Sequence, residues 1–211
     1  MPHPSLQSLA DELAKEWPGN RTINIVCHGH SVPSGYFKTP VVDTFNAYPH
    51  LWHVSLKQRY PHAVINVIVT AIGGEHSESG ADRFEGDVLS LRPDLLTIDY
   101  ALNDRRIGLE RAQAAWMRMI GLAKSAKVPT ILLTPTADIA SKLDDPTDPL
   151  NQHAEQVRRL ADEQALLLAD SLAAFKRQVR AGVSLESLMS QGNHPNRAGH
   201  DLVAAELAAL L

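Results

Sequence analysis

Five short runs of branched apolar residues, at 22–27, 64–70, 94–100, 130–134 and 166–170, punctuate the chain, and a segment of helical length separates each from the next. Runs this short and this continuously apolar suit strands buried on both faces, as in a parallel sheet. Parallel neighbours cannot be joined by a tight turn, so each crossover needs a dozen or more residues, and those residues have to cover the sheet. The segment ahead of the first run can cover it too, since Leu6, Leu9 and Leu13 share one face of a predicted helix over 5–17, stopped at 18–20. Further helices are predicted over 45–60, 78–91, 109–126, 152–163 and 202–211. The expected fold is therefore α/β, a parallel five-stranded sheet between two helical layers. No internal repeat, low-complexity tract or linker divides the chain, so one α/β/α domain over 1–211 is expected.

Composition narrows the function classes. Acidic and basic residues are interspersed and the net charge is −4, which gives no electrostatic reason to expect nucleic acid or an anionic membrane as partner. The single cysteine, Cys27, rules out an intrachain disulfide and reads as a buried thiol. The first thirteen residues lack the basic and apolar regions of a signal peptide, and no run approaches the roughly 18 apolar residues of a membrane span. A cytoplasmic protein acting on a small molecule is expected; these patterns do not encode an oligomeric state.

In open α/β sheets ligands bind beyond the carboxyl ends of the strands. Four loops are predicted there, at 29–31, 73–76, 101–104 and 134–138. The first holds Gly29, His30 and Ser31, placing a hydroxyl on a tight turn at the strand end. Ser31 there is either a nucleophile or the cap of the next helix. In the second, Gly73 and Gly74 let main-chain N–H groups approach a ligand, or simply form a turn before a helix capped by Ser77. Asn103 in the third offers a carboxamide donor, or a turn former. Near the C-terminus, Pro195 keeps His194 out of helical geometry, a fixed presentation suited to a general base.

These blocks, Gly29-His30-Ser31, Gly74, Asn103 and His194-Pro195-Asn196, resemble in order and placement those of the SGNH/GDSL hydrolases, esterases and deacylases on a flavodoxin-like sheet of strand order 2-1-3-4-5. The resemblance runs from Thr22 to about Leu207. It implies Ser31 as nucleophile, His194 as base, and an oxyanion site made by the Ser31 and Gly74 N–H groups and the Asn103 side chain. It further implies a small acyl ester as substrate, acetylated sugars included, and neither metal nor organic cofactor.

The chain departs from that pattern at three places. His30 stands where the family has Asp, Ala101 where it has Gly, and Gln191, three residues before His194, where its triad acid is Asp. An amide can hold an imidazole tautomer but cannot stabilise imidazolium with a charge. In serine proteases the change from acid to amide lowers kcat by about 10⁴. Three readings follow: a Ser-His dyad aided by Gln191 or a main-chain carbonyl, which we favour; another carboxylate, with Asp170 and Asp201 as candidates; or a weakened or non-catalytic binding protein. His30, His76 and Tyr100 are the candidates for lining the substrate pocket. A rival chemistry, a zinc hydrolase using His28, His30 and His76 with Glu75, lacks any short ligand motif.

Overall fold

The computed structural model describes residues 2–211. Five parallel strands, β1 (Thr22–Gly29), β2 (Val64–Val69), β3 (Leu95–Asp99), β4 (Thr130–Leu133) and β5 (Leu167–Ala169), form a sheet of order β2-β1-β3-β4-β5, as expected. The helices are α1 (Gln7–Leu13), α2 (Ser31–Ser34), α3 (Tyr48–Arg59), α4 (Ser77–Asp82), α5 (Phe84–Asp87), α6 (Ala101–Asp104), α7 (Leu109–Ser125), α8 (Pro149–Glu163), α9 (Ser171–Arg180) and α10 (Arg197–Leu210). Among the described residues no helix is long and apolar enough to cross a membrane.

Side chains alternate across a strand, and the central strands are apolar on both faces. Ile23, Ile25 and Cys27 of β1 point into one core with Trp52, Phe175 and Leu207; Val26 points into the other with Leu96, Ile98, Trp116 and Met119. Burial pushes the Cys27 thiol up to about 12, which keeps it protonated and inert. Complete burial of Trp52 and Trp116, one on each side, clamps the sheet between its helical layers.

Several element boundaries differ from expectation for local reasons. The helix expected over 78–91 is broken into α4, α5 and a 3₁₀ turn at Leu89–Leu91, with Arg83 leaving helical geometry at φ −100° and ψ 4°. The first helix stops at Leu13, and Trp17 is left 84% exposed. α3 begins at Tyr48, with Pro49 in its first turn, where a missing N–H costs nothing. α8 begins at Pro149, where the Asp148 carboxylate accepts from the Leu150 N–H at 2.9 Å.

The last helix, expected over 202–211, starts earlier, and the segment ahead of it is the most consequential difference. Met189–Gln191 (β6) and His194–Pro195 (β7) pair as a small antiparallel ribbon with Gln191 opposite His194, and α10 starts at Arg197 under an Asn196 cap. His194 is therefore held by sheet hydrogen bonding as well as by Pro195.

Candidate active site

The carboxyl ends of the strands meet along one edge. Register aligns Gly29 with Asp99, and the loop after β2 is stitched to β1 by Ile72 N–H donating to the Gly29 carbonyl at 3.1 Å. Gly29 is required by this crowding: a Cβ there would sit 2.5 Å from the Asp99 carbonyl oxygen. Chain flow then turns directly into α2, which presents Ser31 at its first position, 6% exposed.

Ser31 Oγ lies 2.9 Å from His194 Nε2. On the far side of the ring, His194 Nδ1 lies 2.9 Å from the Phe37 main-chain carbonyl oxygen. A carbonyl only accepts, so Nδ1 carries the proton and Nε2 turns its lone pair toward the hydroxyl, the tautomer a general base needs. Gln191 also reaches this ring: its Nε2 is 2.7 Å from Nδ1, while its Oε1 accepts from the Thr39 N–H at 3.0 Å. Two donors cannot share Nδ1. A half-turn of the amide puts Oε1 beside the Nδ1 proton and on the side of Thr39 Oγ1, and turns Nε2 toward the Thr39 N–H. In either orientation Gln191 bridges the base to the segment that carries the Phe37 carbonyl. Burial lowers the pKa of His194, opposed by the Phe37 hydrogen bond and aided by nearby His30, so the ring is neutral at neutral pH.

Neither the Ser31 N–H nor the Gly74 N–H has an acceptor among the described residues. Gly74 adopts φ +79°, a left-handed conformation that a side chain would strain. Asn103, 6% exposed on the single-turn α6, donates from Nδ2 to the Glu75 carbonyl at 2.8 Å, which leaves its second amide hydrogen free. Arg106 Nη2 donates to Asn103 Oδ1 at 2.8 Å and to the Gly74 carbonyl at 3.2 Å, fastening two of the candidate oxyanion residues to each other. The next residue along, Asp104, is fully buried and accepts from the Ser77 N–H and the Trp116 Nε1–H, at 2.8 and 2.7 Å. Burial raises its pKa against those two donors.

Other candidates are placed elsewhere. His30 is 1% exposed and is no pocket wall: its Nδ1 accepts from the Val32 N–H at 3.2 Å, capping α2 as the family's Asp would. With Nδ1 accepting, the proton sits on Nε2, which faces the buried Asp99 carboxylate at 3.4 Å. Tyr100 is likewise interior, fully buried, with its hydroxyl donating to Glu75 Oε2 at 2.9 Å; burial drives its pKa up. His76 is half-buried just ahead of α4, with its Nδ1 buried and without a partner among the described residues.

Asp170 does not orient the base. It binds Arg158 at 2.7 Å and Thr134 at 2.8 Å and caps α9, and those partners outweigh burial to lower its pKa. Asp201 pairs with Arg197 on an exposed turn of α10. His28 spends both ring nitrogens inside the protein, on Thr70 Oγ1 at 2.9 Å and the Gly80 carbonyl at 3.2 Å, and burial lowers its pKa to about 4. Among the described residues no three His, Cys, Asp or Glu side chains converge as a metal-binding group.

A family model of GDSL-like lipases and acylhydrolases matches residues 27–202, which span the whole of this edge. The chain belongs to that family. It is a carboxylic ester hydrolase. An acetylxylan esterase of Geobacillus stearothermophilus is 26% identical over 161 residues, covering 71% of this chain and 73% of the relative. A crystal structure of an acetylxylan esterase from that organism superposes with a TM-score of 0.78 at 23% identity, over 89% of this chain and 93% of that one. A two-domain esterase active on acetylated mannans gives 0.77 at 22% identity, over 97% of this chain and 51% of its own. Catalytic mutants of the Geobacillus enzyme replace a serine, a histidine and, three residues before that histidine, an aspartate.

Sequence reasoning missed Phe37, Arg106 and the ribbon. A main-chain carbonyl leaves no mark on residue type, and Arg106 gains meaning only once 101–104 is known to be a helical turn that brings position 106 beside Asn103.

Proposed function

We propose that this esterase removes acetyl groups from sugars by an acyl-enzyme route in which Ser31 is the nucleophile and His194 the base. The observation that carries the mechanism is the 2.9 Å approach of Ser31 Oγ to an imidazole nitrogen whose opposite nitrogen faces a carbonyl acceptor. The acetyl-sugar preference is supported by the activities of the relatives in whose fold and family the chain sits.

In this scheme His194 Nε2 takes the Ser31 proton as Oγ attacks the ester carbonyl carbon. The oxyanion that forms is met by the Ser31 and Gly74 N–H groups and the free hydrogen of Asn103. Collapse expels the sugar oxygen, which receives the proton from His194 Nε2. Water then repeats the sequence on the acyl-serine and releases acetate. The carbonyl dipole of Phe37 takes the orienting place that a carboxylate holds in the serine-protease triad, but it adds no charge against the imidazolium. All the groups in this scheme belong to the chain, so activity is expected to survive dialysis against a chelator.

A fluorophosphonate should add to Ser31, read as one adduct by intact mass and located by peptide mapping, and acetylated xylo-oligosaccharide should release acetate. Absence of the adduct under forcing conditions would favour a binding protein instead. The base also predicts a pH profile. Because its pKa is lowered, kcat/KM is retained as pH falls through the ordinary imidazole value of about 6.5 and is lost only below it. Gln191→Asp puts a carboxylate beside Nδ1, stabilises the protonated ring, and moves that acid limb to higher pH. An unmoved limb would mean that position 191 does not face the base in solution.

A further inference from the structure

A cleft of about 380 Å³ opens beside Asn103, lined by Leu102, Asn103, Arg105, Arg106, Pro149 and Asn193. It runs from Asn103, a candidate oxyanion residue, to Asn193, the neighbour of the candidate base. A larger groove of about 470 Å³ lies between α3 and α10, and of the candidate residues only Asp201, paired with Arg197, lines it.

The charges around the cleft do not cancel. Arg105 is neutralised by Asp138 at 2.7 Å. Asp148, next to Pro149, spends its two carboxylate oxygens on the Leu150 and Lys142 N–H groups, at 2.9 and 2.8 Å. Glu75 is paired with Arg83 and takes the Tyr100 hydroxyl. Arg106 is exposed and, among the described residues, has no carboxylate within 4.0 Å. Only its Nη2 is engaged, with the Gly74 carbonyl and Asn103 Oδ1, so among the described residues Nη1 and Nε keep their donors unspent on a side chain that lines the cleft. A guanidinium presented this way suits a carboxylate, which it can meet with two parallel hydrogen bonds.

We infer that this cleft is the leaving-group subsite and that Arg106 selects alcohols carrying a carboxylate, so that the preferred substrates are acetyl esters of sugar acids. The inference rests on the esterase reading above and narrows it. The same arginine steadies Asn103 and Gly74, so binding of the carboxylate and alignment of the oxyanion donors are linked through one side chain.

The test uses a pair acetylated at the same secondary hydroxyl, a methyl glucuronoside and the methyl glucoside that has a hydroxymethyl group in place of the carboxylate. The wild-type enzyme should favour the glucuronoside about tenfold or more in kcat/KM at low salt, and the preference should shrink in about 0.5 M salt, where the screening length is only a few ångströms. Arg106→Gln should lower activity on both sugars, since it also loosens Asn103, but should erase the ratio. Arg106→Lys should keep part of the ratio. Equal rates on the two sugars, or a ratio untouched by Arg106→Gln, would overturn the inference, and so would hydrolysis of neither sugar by enzyme that still takes the fluorophosphonate at Ser31. Failure of the label itself would instead remove the esterase mechanism beneath it.

Discussion

Replacing Ser31 with alanine is expected to lower kcat/KM for acetylated xylo-oligosaccharide by roughly 10⁴-fold or more while the protein stays folded. The loss follows from the chemistry: without Oγ there is no acyl-enzyme, and the oxyanion donors are left to assist a direct attack by water. His194→Ala should cost a comparable amount, because a serine hydroxyl without a base is a poor nucleophile at neutral pH. The double variant should be little worse than either single one, since the two groups act as a unit. Folding should be spared because among the described residues Ser31 Oγ reaches only His194 at 2.9 Å and His30 at 3.5 Å, and loss of one hydroxyl in α2 leaves its His30 cap intact. Thermal unfolding beside steady-state kinetics separates the two effects. A loss of less than tenfold with an unchanged melting temperature would mean that the nucleophile lies elsewhere.

The sheet could be read from sequence because its signal is redundant. Five apolar runs, each followed by a covering helix, admit few topologies, and the four site loops fall at strand ends whatever the exact boundaries. The proposed site residues Ser31, Gly74, Asn103 and His194 could be picked out for the same reason, Ser31, Gly74 and Asn103 each being a reactive or permissive residue at such an end. What could not be read depends on direction. His30 and Tyr100 sit at the right edge, yet their side chains turn into the protein, His30 toward Asp99 and Tyr100 toward Glu75. Asp170 also ends a strand, but Arg158 on α8 claims its carboxylate. The question posed by Gln191 had its answer in a main-chain atom. Any residue at position 37 supplies a carbonyl, so only the path of the chain between α2 and α3 reveals that the base has a partner.

With an uncharged partner at the proposed base, the proposed oxyanion site becomes the main electrostatic resource of the scheme, and the second large effect is expected there. Asn103→Ala should lower kcat about 10²–10³-fold, or roughly 3–4 kcal/mol, with a much smaller change in KM. The split between the two constants matters. The free Asn103 hydrogen meets an oxygen whose full negative charge exists only in the transition state, so its removal leaves substrate affinity nearly intact. A purely structural role would look different, because Asn103 also donates to the Glu75 carbonyl and accepts from Arg106; a collapsed loop would raise KM and lower the melting temperature together. Asn103→Asp sharpens the distinction. It keeps the size and the Arg106 contact but gives up the donation to the Glu75 carbonyl and replaces the free donor with a charge that repels the oxyanion, so its kcat should fall at least as far as that of the alanine variant. Retention of kcat within tenfold in the aspartate variant would exclude Asn103 from the oxyanion site and leave the Ser31 and Gly74 N–H groups to form it alone.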